Sequence, residues 1–254
     1  MNIVAFFDYQ GRHISENLPI TYDEVENVLE CLGVDYEGTN WRESFSYLEG
    51  LHVSFDFVSH IESEVHRRVR DFATQGRGFI EMNLLAQAID NDLEGNDDYY
   101  DIVSTYMDVT GKGCDPFELI NIIMQKDDIN VYYGDHDGDT IEERYAKDAF
   151  GDQFDYDYWN YVDFYAVGCD HAYNVTFGND FWIYDDDPGS VDETCYSFED
   201  LCAEYNWPLD DEEEAEIRAR TQRSTATASA NKYHVPTPPT FTSQEVMDFI
   251  LEGV

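Results

Sequence analysis

Carboxylates are the side chains this sequence offers most freely: between Asp148 and Glu216 it has 21 Asp and Glu and no Lys or Arg. Carboxylates can move protons, hold a metal, or stand as fixed negative charge. Spacing separates these uses. Asp135-His136-Asp137-Gly138-Asp139 has the alternating acids that open a calcium loop, but such a loop needs Gly at its sixth position and Glu at its twelfth. Those positions hold Thr140 and Ala146. Acid pairs are too numerous for any one of them to stand out as a hydrolytic pair. The chain has no Gly-rich phosphate loop, no Gly-x-Ser-x-Gly elbow and no His-Glu-x-x-His helix. Its seven histidines are scattered, and His60 and His66 fall on different faces of a helix. Cys31, Cys114, Cys169, Cys195 and Cys202 are odd in number and lack a Cys-x-x-Cys pair, so they read as buried, reduced thiols. The expectation is a non-enzyme with no metal and no cofactor.

What remains is charge. The 254 residues carry 55 acids and 14 Lys plus Arg, a net of -41. The charge is graded: -8 over residues 1–77, -13 over 78–147, -21 over 148–216 and +1 over 217–254. Such a field repels nucleic acids and anionic membranes and attracts basic surfaces. Along duplex DNA, with one charge per about 1.7 Å of axis, 41 charges span about 70 Å. An elongated body would hold that charge with less repulsion than a sphere. A halophile's solubility coat would be spread evenly, and a solvated face explains one helix better than 69 residues. Disorder is opposed by 43% hydrophobic content and by 19 Tyr and 16 Phe, many of them interleaved with the acids. Interleaving predicts a packed inner face beneath a carboxylate-studded outer one. Met1–Phe7 lacks the basic region and cleavage site of a secretory signal, and no apolar run spans a bilayer. A cytoplasmic protein is expected, and the Asn174-Val175-Thr176 sequon is read as chance.

The elements that must position these acids follow from periodicity. Asn2–Tyr9 reads as a strand, Gly11 as a turn, and Val25, Val28, Leu29 and Leu32 as a helix capped by Thr21 or Asp23 and stopped by Gly33. Phe45–Leu48 and Leu51–Phe57 read as strands. Val58, Ile61, Val65, Val69 and Phe72 form a helical stripe, whose Arg67, Arg68 and Arg70 are read as internal counter-charge. Helices follow over Phe79–Ile89, Tyr99–Val109 and Pro116–Met124. Next come a strand at Asn130–Tyr133, helices over Thr140–Phe150 (opened by Asp139) and Tyr156–Val167, and a hairpin of Tyr173–Phe177 with Phe181–Tyr184. Short helices over Ser197–Tyr205 and Asp211–Arg223 precede a Ser/Thr/Ala/Pro-rich linker, Ser224–Thr242, and a terminal helix, Ser243–Leu251. The predicted class is α+β, an elongated string of small domains. These are an α/β unit (1–57), a helical bundle (58–126), an acidic α/β unit with a hairpin (127–190), an acidic helical extension (191–223), and a linker with its short helix (224–254).

The order of motifs over residues 1–184 resembles the ArdA antirestriction family. Pro116–Ile123 leading into Asp128–Gly134, then Asp139–Ala146, resemble its helix–strand–helix. Gly151-Asp152, Tyr161-Val162-Asp163-Phe164, Ala166 and Gly168-Cys169-Asp170 resemble its antirestriction motif, with Cys169 where the family has Arg. Val175–Ile183 fits its closing hairpin. Glu24–Leu32 and Ser46–Gly50 match more loosely. The resemblance implies a three-domain dimeric mimic of bent duplex DNA that blocks type I restriction–modification enzymes by filling a basic DNA-binding groove. The phosphate-mimicking candidates are Asp135, Asp137, Asp139, Glu142, Glu143, Asp148, Asp152, Asp155, Asp157, Asp163, Asp170, Asp180, Asp185, Asp186 and Asp187. Tyr158, Trp159, Tyr161, Phe164 and Tyr165 fall in the segment linked to dimer contacts. Two alternatives stay open: a mimic aimed at a CRISPR nuclease, a repair enzyme or a histone-like protein, and an acidic structural adaptor.

Overall fold

A tight hairpin begins the chain. Strand β1 (Asn2–Tyr9) turns through Gln10 and Gly11, both at positive φ, into β2 (Arg12–Leu18), as a two-residue connection requires. Strand β3 (Leu51–Val58) pairs antiparallel with the other edge of β1, giving the order β2-β1-β3. This register sets Ile3, Ala5 and Phe7 beside Phe57, Phe55 and Val53 on the face turned to the core. The computed structural model describes residues 2–59, 63–136, 138–210, 212–217 and 219–220.

Helix α1 (Tyr22–Leu32) packs beside β2 and buries Tyr22, Val25, Val28, Leu29 and Leu32. Thr21 and Glu24 form a capping box, and Gly33 closes the helix at φ 74° while Arg12 Nη1 donates to Leu32 O at 3.0 Å. Four further helices follow: α2 (Glu64–Gln75), α3 (Phe79–Asp92), α4 (Asp97–Thr110) and α5 (Pro116–Met124). Helix α3 is central, with nine buried residues including Phe79, Met82, Leu85 and Ile89, so it is covered on nearly every side. Its Asn83 faces the loop after β2, accepting from Ile20 N and donating to Ile20 O, each at 2.9 Å.

The acidic segment follows as α6 (Ile141–Phe150), α7 (Phe164–His171), the hairpin β4 (Val175–Phe177) with β5 (Trp182–Tyr184), and α8 (Phe198–Glu204). The class is α+β, with sheets of three and two strands among the described residues. Residues 1–209 cluster as one compact unit and 210–254 as another. In the second, residues 212–217 are helical, and Asp210 Oδ1 accepts from the amides of Glu212 and Glu213.

Several expectations need correction. Strand β2 was not foreseen, because only Ile14 and Leu18 mark its inner face. Phe45–Leu48 is no strand: Phe45–Tyr47 is a 3₁₀ turn capped by Ser44, which turns Phe45 and Leu48, three apart, into the core. Val58 ends β3, so the α2 stripe begins at Val65, and Ile61 lies outside the described residues. Asn130–Tyr133 contributes a single bridge, Tyr132 to Trp182. Thr140, not Asp139, caps α6. The helix expected over Tyr156–Val167 is a 3₁₀ turn, Tyr156–Tyr161, broken at Asp163, whose side chain caps α7 through Ala166 N at 3.0 Å. Four of the five cysteines are exposed and only Cys202 is buried, although all are free thiols. The linker and terminal helix lie outside the described residues.

Residues 191–209 are stitched to the helices. Asn121 on α5 accepts from Tyr196 N at 2.7 Å and donates to Tyr196 O at 3.2 Å. Gln125 Nε2 donates to Asp192 O at 2.7 Å. Trp207 is buried edge-on against Trp41, and its Nε1 donates to Arg42 O at 2.8 Å.

Candidate partner-binding surface

Acids can face outward only where something apolar holds the chain from within, and here aromatic rings do so. Tyr145 of α6 is surrounded by Phe150, Phe177, Trp182 and Tyr184, with ring centroids 5.7–6.4 Å away. Burial pushes the Tyr145 hydroxyl above its ordinary range, and the hydroxyl donates to His171 O at 3.3 Å. A second group forms where Phe164 meets Phe154 and Trp159. Helices α6 and α7 meet almost backbone to backbone: a Cβ on Gly168 would lie 2.2 Å from Glu142 O, so no larger residue fits.

Above this core the carboxylates point to solvent. Of the 15 Asp and Glu between residues 148 and 209, 14 are exposed, and the exception, Glu193, is half-buried beneath Lys112. Among the candidates, Asp135, Asp148, Asp152, Asp155, Asp157, Asp163, Asp170, Asp180, Asp185, Asp186 and Asp187 are exposed. Several are also held in place. Asp155 accepts from Asp157 N at 3.1 Å, Asp163 caps α7, and Asp185 accepts from Thr176 Oγ1 at 3.0 Å. Glu142 and Glu143 are half-buried, with Glu143 closing the capping box of α6. Asp139 is half-buried and paired with Lys147 at 2.5 Å. Asp137 lies outside the described residues.

The few cations are spent inside this body. All four bases of residues 78–147 face carboxylates: Lys112–Glu193 at 2.6 Å, Lys126–Asp92 at 2.8 Å, Arg144–Asp180 at 3.4 Å and Lys147–Asp139 at 2.5 Å. Lys126 and Lys147 also lie over the rings of Tyr99 and Phe164. The hydrogen bond between Lys112 and Glu193 raises the lysine and lowers the carboxyl from their ordinary ranges. Arg67 and Arg68 both reach Glu64, and Arg70 lies over Phe57, so the basic cluster of α2 is counter-charge within the fold. Among the described residues the cations are therefore few, and most of them lie against a carboxylate or a ring.

The five residues suggested for a dimer face divide. Tyr158, Tyr161 and Tyr165 are exposed, whereas Phe164 is buried and Trp159 half-buried in the group that supports the turn. Sequence reading passed over Tyr156 and Tyr173, also exposed; a spacing of three in a 3₁₀ turn, which pairs Tyr156 with Trp159 and Tyr158 with Tyr161, was the available signal. Among the described residues no group of three or more His, Cys, Asp or Glu is placed to hold a metal ion. No described helix is long and apolar enough to cross a membrane. No protein-family model, curated protein or solved structure matches the chain.

Proposed function

We propose that this protein is a DNA mimic: its carboxylates stand where phosphates would and occupy the basic DNA-binding groove of a partner protein. The observation that carries this is the surface of residues 148–209, where 14 of 15 carboxylates are exposed, no Lys or Arg intervenes, and an aromatic core fixes the array. Rigidity matters because a fixed array loses less entropy on binding than a flexible acidic tail. The motif order of residues 116–184 supports a narrower reading, an inhibitor of DNA-binding host-defence enzymes, foremost type I restriction–modification enzymes. Release of the ions around both partners would supply much of the affinity.

The test is direct. A type I restriction enzyme is titrated with the full chain, and inhibition is followed as duplex DNA and salt are varied. Duplex DNA should compete with the protein for one site, and affinity should fall about tenfold or more between about 50 and 200 mM salt. Inhibition that neither DNA nor salt relieves would dismiss mimicry. Inhibition confined to another nuclease or to a histone-like protein would keep mimicry and replace the target.

A further inference from the structure

Seven of the eleven exposed large hydrophobic residues among those described lie between Tyr133 and Tyr173. Tyr156, Tyr158, Tyr161 and Tyr165 are 77%, 62%, 85% and 50% exposed, within a stretch where Asp152, Asp155, Asp157 and Asp163 are exposed too. Phosphate mimicry alone gives no reason to place rings among the charges. We infer that this surface is built to take arginine in preference to lysine, so that its partner is an arginine-rich segment of a DNA-binding groove; this rests on the reading of the protein as a DNA mimic.

The chemistry of the two cations separates them. A guanidinium is planar and weakly hydrated, so it can stack on a phenol ring while its edge forks onto a carboxylate. An ammonium is a compact, strongly hydrated charge that gains from the carboxylate but little from the ring face. The turn supplies both groups side by side. Tyr158 and Tyr161 lie three apart on one edge of the 3₁₀ turn, with Asp157 adjacent to the first and Asp163 two residues beyond the second. Asp155 and Asp163 are oriented by the amides they accept from, at 3.1 Å to Asp157 N and 3.0 Å to Ala166 N. Exposed Tyr156 packs 5.1 Å from half-buried Trp159, which in turn packs 5.3 Å from buried Phe164, so the turn is backed by the core. No lysine or arginine of residues 148–209 competes for these rings. The complement of such a surface is cationic and planar.

The experiment uses the full chain and two probes, a nona-arginine and a nona-lysine peptide, titrated at matched ionic strength. Arginine should bind about tenfold more tightly, the equivalent of exposed cation–π contacts at two or three rings. Replacing Tyr156, Tyr158, Tyr161 and Tyr165 together by Ser should abolish that preference and change lysine binding less than about twofold. Replacing the same four by Phe should retain the preference, since the ring face survives; an unchanged melting temperature establishes that each variant is folded. Equal binding of the two peptides by the parent protein, or a preference that survives the serine variant, overturns the inference and leaves mimicry standing. Failure of both peptides to bind removes mimicry as well. A dimer that the serine variant converts to monomer, with the peptide preference unmoved, assigns the rings to a second copy and overturns the inference.

Discussion

Asn121 is buried at 1% exposure, yet its amide takes both polar groups of Tyr196 and so replaces a strand partner for the segment after Pro188. Substituting leucine would remove both hydrogen bonds at the Tyr196 backbone, at a cost of about 1–3 kcal/mol. For a body this size that is a fall in melting temperature of roughly 2–10 °C, read by calorimetry. His66 is another buried polar residue, stacked on Tyr100 at 5.0 Å with Ser63 Oγ 2.5 Å from Nδ1. Burial, the largest cause, pushes its imidazole below the ordinary histidine value, and the charge of Arg70 acts in the same direction. The unfolded chain thus binds the proton more readily. The stabilisation is complete above about pH 6.5 and is lost as pH falls through the depressed value. Relative to His66→Phe, which keeps the ring, the parent protein should lose stability between pH 7 and 5 in denaturant titrations. An identical pH slope in the two proteins would show that the histidine charges in place. The exposed acids should behave otherwise. Asp152→Asn, Asp155→Asn, Asp157→Asn or Asp163→Asn alone should weaken inhibition slightly, and the four together should abolish it. One neutral change that destroys inhibition in a folded protein would point to a carboxylate with a unique role.

Among the elements, α6 and α7 depend on one absent side chain. Gly168→Ala would drive a methyl into Glu142 O, so it should part the two helices and lower the melting temperature by several degrees, while alanine at exposed Gly111 would act only through its backbone conformation. Trp207 is a stronger dependence. A chain ending at Leu209 should melt like the parent; one ending at Pro188 should not fold cooperatively, because Val191, Leu201, Cys202 and Trp207 are buried. These elements also show what could be read in advance. Helices α1, α3 and α5 were legible because apolar spacing and caps agree, down to Thr21, Gly33 and Pro116. The hairpin β4–β5 was legible from its turn residues. Strand β2 was not, since an edge strand with one open face carries few apolar residues, and neither was the 3₁₀ character of Phe45–Tyr47, because three aromatic or polar residues fit either period. The exposed acids of the candidate surface were evident from the missing lysines. The pairing of Asp139 with Lys147 was not, although they are eight apart across the first turns of α6, because direction and burial are tertiary facts.

For the molecule as a whole, salt should act with opposite signs on folding and on binding. A net of -41 repels itself, and cations that could soften this are few and already placed against Asp92, Asp139, Asp180 and Glu193. At low ionic strength each exposed carboxylate feels its neighbours across a screening length of about 30 Å, which shrinks to about 10 Å at 0.1 M salt. Screening therefore relieves repulsion among the many exposed acids more than it weakens the few partly buried ion pairs, which are shielded from solvent. The melting temperature of the full chain should rise steadily as NaCl increases from about 0.01 to 0.5 M. Because the effect expected is one of screening, KCl should match NaCl, and CaCl2 at equal ionic strength should add only the stronger screening of a divalent ion. A melting temperature that falls with salt would mean that the Lys126–Asp92 and Lys147–Asp139 pairs outweigh the array. Over the same range, affinity for a basic groove should drop, because the same ions then compete with the partner. Stabilisation and release driven together by one variable would separate a charge-bearing surface from an acidic coat, for which only the first effect is expected.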